Sequence, residues 1–227
     1  MKVAILGTGS VGKTFVQALA PQLDTIFWGT SDPAQSALRP IEETSATTVS
    51  AWLGAYPNVR LLAYGDCQSA DLFINVSKGE SALGVLEALG EPALAGKTLI
   101  DLSNPLDFSQ GFPPSLFVCN TDSLGEMIQR RFPQANVVKT LNTMTASVMV
   151  NPASVDAADH HVFLCGNSGE AKAQVTRLLG QWFGWKKILD LGDLSAARAC
   201  EMVLPLWLRI WQATGSFNFQ FKIAGLQ

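Results

Sequence analysis

Apolar and polar positions alternate along this chain in a rhythm set from its first residues. Lys2 is followed by Val3-Ala4-Ile5-Leu6, four apolar residues in succession that read as a buried strand. A glycine cluster, Gly7-Thr8-Gly9-Ser10-Val11-Gly12, comes next, and the stretch from Phe15 to Ala20 reads as a helix. Further strands are predicted over residues 25–28, 58–62, 71–76, 98–102 and 136–141. Between them lie a Ser/Thr-rich loop running into a short helix over 42–55, one helical turn at 66–70, and a helix over 81–89. Residues 107–120, with Pro113 and Pro114, read as a long loop, and Ser123 with Glu126 has capping-box spacing for a helix ending at Phe132. Strands alternating with helices build a parallel sheet through right-handed crossovers. The fold class is α/β, a Rossmann-type doubly wound parallel sheet.

The rhythm changes from Asn151. Residues 161–165 form a strand ending at Gly166, Asn167 with Glu170 suggests a capped helix through Trp182, and residues 187–191 form another strand. A helix over 195–214 is apolar nearly all round, and residues 217–223 alternate apolar and polar as a half-buried strand does. This divides the chain into a domain over 1–146 and a small C-terminal α+β lobe over 147–227. A helix as apolar as 202–211 must be buried, and the expected cover is a second subunit, so a homodimer is expected.

Composition narrows the partners. The 227 residues are 48% hydrophobic and only 15% charged, which leaves an apolar face for pairing. A net charge of −3 without a Lys/Arg cluster argues against a nucleic-acid partner. Cys67, Cys119, Cys165 and Cys200 lie far apart without CxxC spacing, so neither a metal site nor a disulfide is expected, and reduced thiols imply a cytoplasmic protein. The chain enters a strand at once, so no signal peptide is expected. The apolar run 202–208 is too short to span a bilayer and ends at Arg209, so no membrane insertion is expected.

The candidate chemistry begins at the glycines. Gly7 permits the tight turn, Gly9 lets backbone approach a pyrophosphate, and Gly12 lets the helix pack on the strand. The N–H groups that open the helix, with its dipole, make a seat for an anion. Nicotinamide dinucleotide enzymes that prefer the unphosphorylated form place an acid at the end of the second strand; that place falls on Gly29, and the hydroxyls of Thr30 and Ser31 follow. A carboxylate there would repel a 2′-phosphate, so NADP(H) is favoured. Asp32 before Pro33 reads as a helix cap in preference to a ribose ligand. Arg39 is either a phosphate partner or a solvated surface residue. Val76, Ser77 and Lys78 end one strand at the ligand crevice, Lys78 being either a ligand or solvent-exposed; Asn104-Pro105 and Asn142-Thr143 end two others. There Asn104 can bond a nicotinamide carboxamide. His160 and His161 read as surface residues. Lys139 and Asn142 have the K-x-x-N spacing of β-hydroxyacid dehydrogenases, but they fall on a strand and not on a helix, so the match is rejected.

Taken in order, the glycine turn, Gly29-Thr30-Ser31-Asp32-Pro33, Asp101-Leu102-Ser103-Asn104-Pro105-Leu106, Val137 to Thr143, Val162 to Gly166, and Asp190 to Leu194 followed by Ala197-Arg198 and Glu201 resemble one family. The chain is similar over nearly its whole length to the coenzyme F-420-dependent NADP oxidoreductases, small proteins that pass hydride between nicotinamide and a deazaflavin. The resemblance implies NADP on Thr8 to Val11, a 2′-phosphate at Thr30 and Ser31, and the nicotinamide near Val76, Asn142 and Thr143. Many members carry Arg where this chain has Ser31, so Arg39 or Lys78 would have to substitute. Hydride passing from ring to ring needs no catalytic acid or base, and no convincing carboxylate pair stands out. The reading is an NADP(H)-dependent oxidoreductase acting on a flavin or deazaflavin-type acceptor. A small carbonyl or imine dehydrogenase and a non-catalytic NADP-binding sensor or partner protein are the alternatives.

Overall fold

The computed structural model describes residues 1–225. In chain order its elements are β1 (Lys2–Leu6), α1 (Ser10–Leu19), β2 (Thr25–Thr30), α2 (Pro33–Leu38), α3 (Val49–Leu53), β3 (Val59–Ala63), β4 (Leu72–Asn75), α4 (Ala82–Leu89), α5 (Glu91–Leu94) and β5 (Thr98–Asp101). They continue with β6 (Leu106–Asp107), β7 (Ser115–Leu116), α6 (Leu124–Arg131), β8 (Asn136–Thr140), α7 (Ala146–Val150), β9 (Val162–Gly166), α8 (Gly169–Phe183), β10 (Ile188–Asp190) and α9 (Ala197–Thr214).

Eight strands form one sheet in the order β10-β9-β8-β5-β4-β1-β2-β3, with only the β8–β9 pair antiparallel. The apolar run of β1 fits this layout because both of its faces are covered. Val3 and Ile5 point into a core shared with Phe15, Val16 and Leu19 of α1, while Ala4 and Leu6 point into the opposite core with Leu86 and Leu89 of α4. β2 lies on one side of β1 and β4 on the other. The strand order therefore reverses at β1, and a doubly wound sheet opens its ligand crevice at the carboxyl ends of the strands at that point.

The local signals of the first 140 residues hold. Ser123 caps α6 by accepting from the Glu126 N–H at 3.1 Å, and its own hydroxyl meets the Glu126 carboxylate at 2.7 Å. The proline-rich loop differs from expectation in carrying a small hairpin, β6 paired antiparallel with β7. Beyond residue 147 three corrections follow. β9 and β10 add to the main sheet, so the 146/147 boundary marks no break in it. Ser168 caps α8 in place of Asn167, whose side chain instead accepts from the Leu194 N–H. Residues 217–223 are extended but form no strand; Phe219 stacks on Trp207 and Phe217 on Trp211. The chain's own tail thus covers part of α9. That helix is buried along one face only, with Met202 at 40% and Leu206 at 55% exposure on the other. No helix among the described residues is long and apolar enough to cross a membrane.

Gly12 shows how tightly α1 sits on the turn before it. A Cβ there would stand 2.0 Å from the Gly7 carbonyl oxygen, which also accepts from Trp28 Nε1 at 2.9 Å. Backbone cannot yield as a flexible side chain can, so Gly12→Ala should destabilise the protein by about 1–3 kcal/mol. A chemical-denaturation midpoint equal to that of the parent protein would show that the turn can shift freely.

Candidate functional site

The carboxyl ends of the central strands open on a cavity of about 560 Å³. Gly9, Ser10, Val11, Val76, Ser77, Lys78, Asn104 and Asn142 all line it, so eight of the residues singled out in the sequence meet at one place. Gly7 makes the turn with φ at 127°, and nothing lies within 4 Å of where a Cβ on Gly9 would project. No side chain caps α1. The first amides of that helix are therefore left to a ligand or water, which is the arrangement an incoming phosphate needs.

The polar groups on the crevice floor are already oriented. Asn75 Oδ1 accepts from the Ser77 hydroxyl at 2.6 Å. Asn104 and Asn142 hold each other: Asn104 Nδ2 donates to the Asn142 carbonyl at 2.9 Å, and Asn142 Nδ2 donates to Asn104 Oδ1 at 2.9 Å and to the Cys200 carbonyl at 3.1 Å. Both Asn142 N–H donors are thus spent on the protein, while Asn104 keeps one to offer. Pro105 and Thr143 are buried and lie outside the cavity lining. Leu141, between β8 and Asn142, takes a left-handed φ of 61°, a strained conformation for a bulky residue that turns the chain at the crevice edge.

The expected 2′-phosphate end needs one correction. Thr30 is buried, and its hydroxyl is paired with that of Ser36 at 2.7 Å, so it faces inward. Ser31 is exposed and lines a second hollow of about 520 Å³ with Tyr64, Ser81 and Val85; Glu80 lines both cavities and marks where they adjoin. Asp32 is the α2 cap, accepting from the Gln35 N–H at 2.9 Å. Arg39 returns from the far end of α2 to the glycine turn, where Nη2 donates to Thr8 Oγ1 at 2.6 Å and approaches Ser36 Oγ at 3.4 Å. Its charge also acts on the Tyr64 hydroxyl, which burial and Cys67 push above the usual phenol value and Arg39 pulls back. Tyr64 was not legible as a site residue; the only local hint is an aromatic placed directly after a strand end.

Three further features were missed. Part of the cavity lining is apolar: Met144 and Met149 around α7, and Leu204 and Trp207 from α9, none of which carries a local signature of binding. Second, His160 and His161 are not surface residues: they are 1% and 4% exposed, with His160 Nε2 3.0 Å from the Pro152 carbonyl. Third, Lys139 is fully buried, lies 2.8 Å from Asp101 and 2.9 Å from Glu201, and donates to the Ser103 carbonyl. The two carboxylates that did not stand out as a pair thus meet on one lysine. Burial alone would lower the Lys139 pKa, but the two carboxylates outweigh it and hold the value above that of free lysine. Asp101 Oδ1 also accepts from Asn75 Nδ2 and the Ser103 hydroxyl, and Glu201 accepts from the Leu124 and Gly125 N–H groups that open α6. The signal available was a lysine in the middle of a strand, in register opposite Asp101.

A solved structure from Arthrobacter sp. FB24, named as a candidate F420-dependent NADP reductase, is 49% identical, with 99% of each chain covered and a TM-score of 0.92. The chain belongs to the F420-dependent NADP reductase family. A hypothetical protein of Sinorhizobium meliloti, 23% identical over 87% of this chain and 88% of its own (TM-score 0.66), shares the fold. So does Plasmodium falciparum pyrroline carboxylate reductase, solved with NADP bound: 15% identical over 94% of this chain and 67% of its own, TM-score 0.54. No protein-family model and no curated protein matches the chain.

Because Lys139 is the cation that pairs with both buried acids, Lys139→Met should cost about 3–5 kcal/mol by leaving them unpaired. Adding Asp101→Asn and Glu201→Gln should recover part of that loss. Denaturation of the three proteins checks this; a single variant as stable as the parent would mean that the ions contribute nothing net.

Proposed function

We propose that the protein is an NADP(H)-dependent oxidoreductase that transfers hydride directly between the nicotinamide and a flavin or deazaflavin-type acceptor such as coenzyme F-420. The observation that carries this reading is one cavity lined both by the uncapped start of α1 and by the apolar side chains of Met144, Met149, Leu204 and Trp207. Its volume is ordinary for a small-molecule site. The residues present fit a dinucleotide. Gly9 leaves room for backbone to meet a pyrophosphate, and Ser31 and Tyr64 line a hollow beyond the turn on the side expected for the adenosine. Family membership and the name carried by the Arthrobacter relative support the same assignment.

Bound NADPH supplies the hydride, and the protein's part is to orient and to exclude water. Asn104 has a free amide donor toward the nicotinamide end, and Val76 gives that end an apolar contact. The apolar wall suits a flat ring and keeps water from it. Among the described residues lining this cavity the ionisable groups are Lys78 and Glu80, both exposed. Hydride transfer from ring to ring would ask neither of them for a proton, whereas reduction of a carbonyl or imine would. Arg39 supports the phosphorylated cofactor: it supplies a guanidinium above the glycine turn at the end where Ser31 stands in place of an arginine.

Mixing the protein with NADPH and, in separate reactions, FMN, FAD or F-420 tests the proposal. Loss of the near-ultraviolet NADPH absorbance with one of them is the expected result. Tight NADPH binding without oxidation by any would instead favour a sensor or partner protein. Arg39→Ala should raise the Kd for NADPH about 10–100-fold, the worth of a charge-assisted hydrogen bond, and barely change that for NADH. Equal losses for the two nucleotides would remove Arg39 from the 2′-phosphate site.

A further inference from the structure

α9 ends at Gly215, and the chain then runs back, extended, past the start of β9. Residues 217–223 are held by aromatic stacking, by hydrogen bonds and by the ion pairs of Lys222 with Asp159 and Asp156. Aromatic stacking places Phe219 on Trp207 at 5.1 Å between centroids and Phe217 on Trp211 at 4.5 Å. Asn218 Nδ2 donates to the Ser154 carbonyl at 3.2 Å, and three further hydrogen bonds meet at one residue. The His161 N–H donates to the Phe221 carbonyl at 3.1 Å, Gln220 Nε2 donates to the His161 carbonyl at 3.1 Å, and the Ile223 N–H donates to His161 Nδ1 at 3.2 Å. The segment also touches the cavity wall from behind, through Trp207 and through a Gln220 contact to Met144 Sδ at 3.6 Å.

We propose that residues 217–223 are a strap backing the cavity's apolar wall, latched through His161 Nδ1 and released when that imidazole takes up a proton. An Nδ1 that accepts from a backbone N–H has to be unprotonated; once it carries a proton, two donors face each other in a buried place. The surroundings reinforce this. Burial is the main cause that lowers the His161 pKa, Lys187, His160 and Lys222 lower it further, and only Asp159 opposes them. Asp159 is paired with Lys187 and Lys222, whose hydrogen bonds bring its pKa down to about 2, so it stays charged throughout the range in which a histidine titrates. Asp156, 3.5 Å from Lys222, completes the charges on this side. Because the latched form holds His161 below its ordinary pKa, the latch contributes fully above that value and weakens as pH falls through the lowered one. Release would remove the aromatic backing of Trp207. That effect on acceptor binding rests on the function proposed above, whereas release of the strap does not.

Hydrogen exchange of residues 217–223, corrected for the intrinsic pH dependence of amide chemistry, tests the latch without any nucleotide present. Between about pH 8 and about pH 5, protection in the wild-type protein should fall severalfold, up to the roughly thirtyfold limit that uptake of one proton by a released ring of ordinary pKa about 6.5 sets at pH 5. His161→Asn, which keeps an acceptor near the Nδ1 position and cannot titrate, should hold its protection across the range. His160 remains in that variant and serves as the internal control. Wild-type protection that is independent of pH overturns the proposal, and so does an equal fall in the Asn variant. Titration of the wild-type His161 ring by NMR covers the case in which the variant does not fold: a ring with an ordinary or raised pKa also overturns it.

Discussion

One buried cation holds the two walls of the crevice in register. Lys139 sits on the central sheet with no exposure, and its ammonium binds Asp101 on the neighbouring strand and Glu201 on the long α9 helix. Through Asp101 it is connected to Asn75 and Ser103, and Asn75 in turn orients Ser77 at the ends of the strands that form the cavity floor. Through Glu201 it is connected to the helix that brings Leu204 and Trp207 to the cavity lining. One positive and two negative charges leave an excess of negative charge in the interior. The N–H groups opening α6 offset it, because Glu201 occupies the place a bound anion would take at a helix N-terminus. Such a cluster is a weak source of stability compared with apolar packing, since desolvating three ions is costly. Its contribution here is geometric: Glu201 on α9 meets Lys139 and the first amides of α6 together.

The same principle is used twice and answered differently. α6 has its first amides filled from within, by Ser123 and Glu201, and is closed as a ligand site. α1 has no side-chain cap and faces an open cavity, with Gly9 leaving room above it. The contrast leaves the first amides of α1, and not those of α6, free to receive an anion. Around the open helix the protein has spent its polar groups on one another. The Asn104–Asn142 pair and the strained turn at Leu141 hold the floor rigid, and Arg39 is tied to Thr8 instead of moving free in solvent.

The apolar wall depends on contacts that reach across the chain. α9 alone would expose Trp207 and Trp211; Phe217 and Phe219 cover them, so the end of the chain completes a surface begun by α7 and α9. Stacked aromatics add modestly beyond the area they bury, which makes this cover easier to displace than the sheet itself.

What the sequence determined by itself was everything that a few neighbouring residues decide. The apolar runs specified strands because a strand buried on both faces needs little else, and the glycine turn was readable because a positive φ at Gly7 and the missing Cβ at Gly12 are local requirements. The Asp32 and Ser123 caps were readable for the same reason. Tertiary structure decided the rest. The alternation over 217–223 marks which side chains turn inward, but a strand also needs a partner with matching free amides, and among the described residues the segment's backbone ladder is limited to the bond from the His161 N–H to the Phe221 carbonyl. The two histidines look polar in isolation, yet both are buried, His161 with the Ile223 N–H on its Nδ1 and His160 with its Nε2 at the Pro152 carbonyl. Lys139 could become an interior residue only through carboxylates brought from another strand and from α9. Charge neutralisation in a protein interior is a property of three-dimensional neighbours, and spacing along the chain does not encode it.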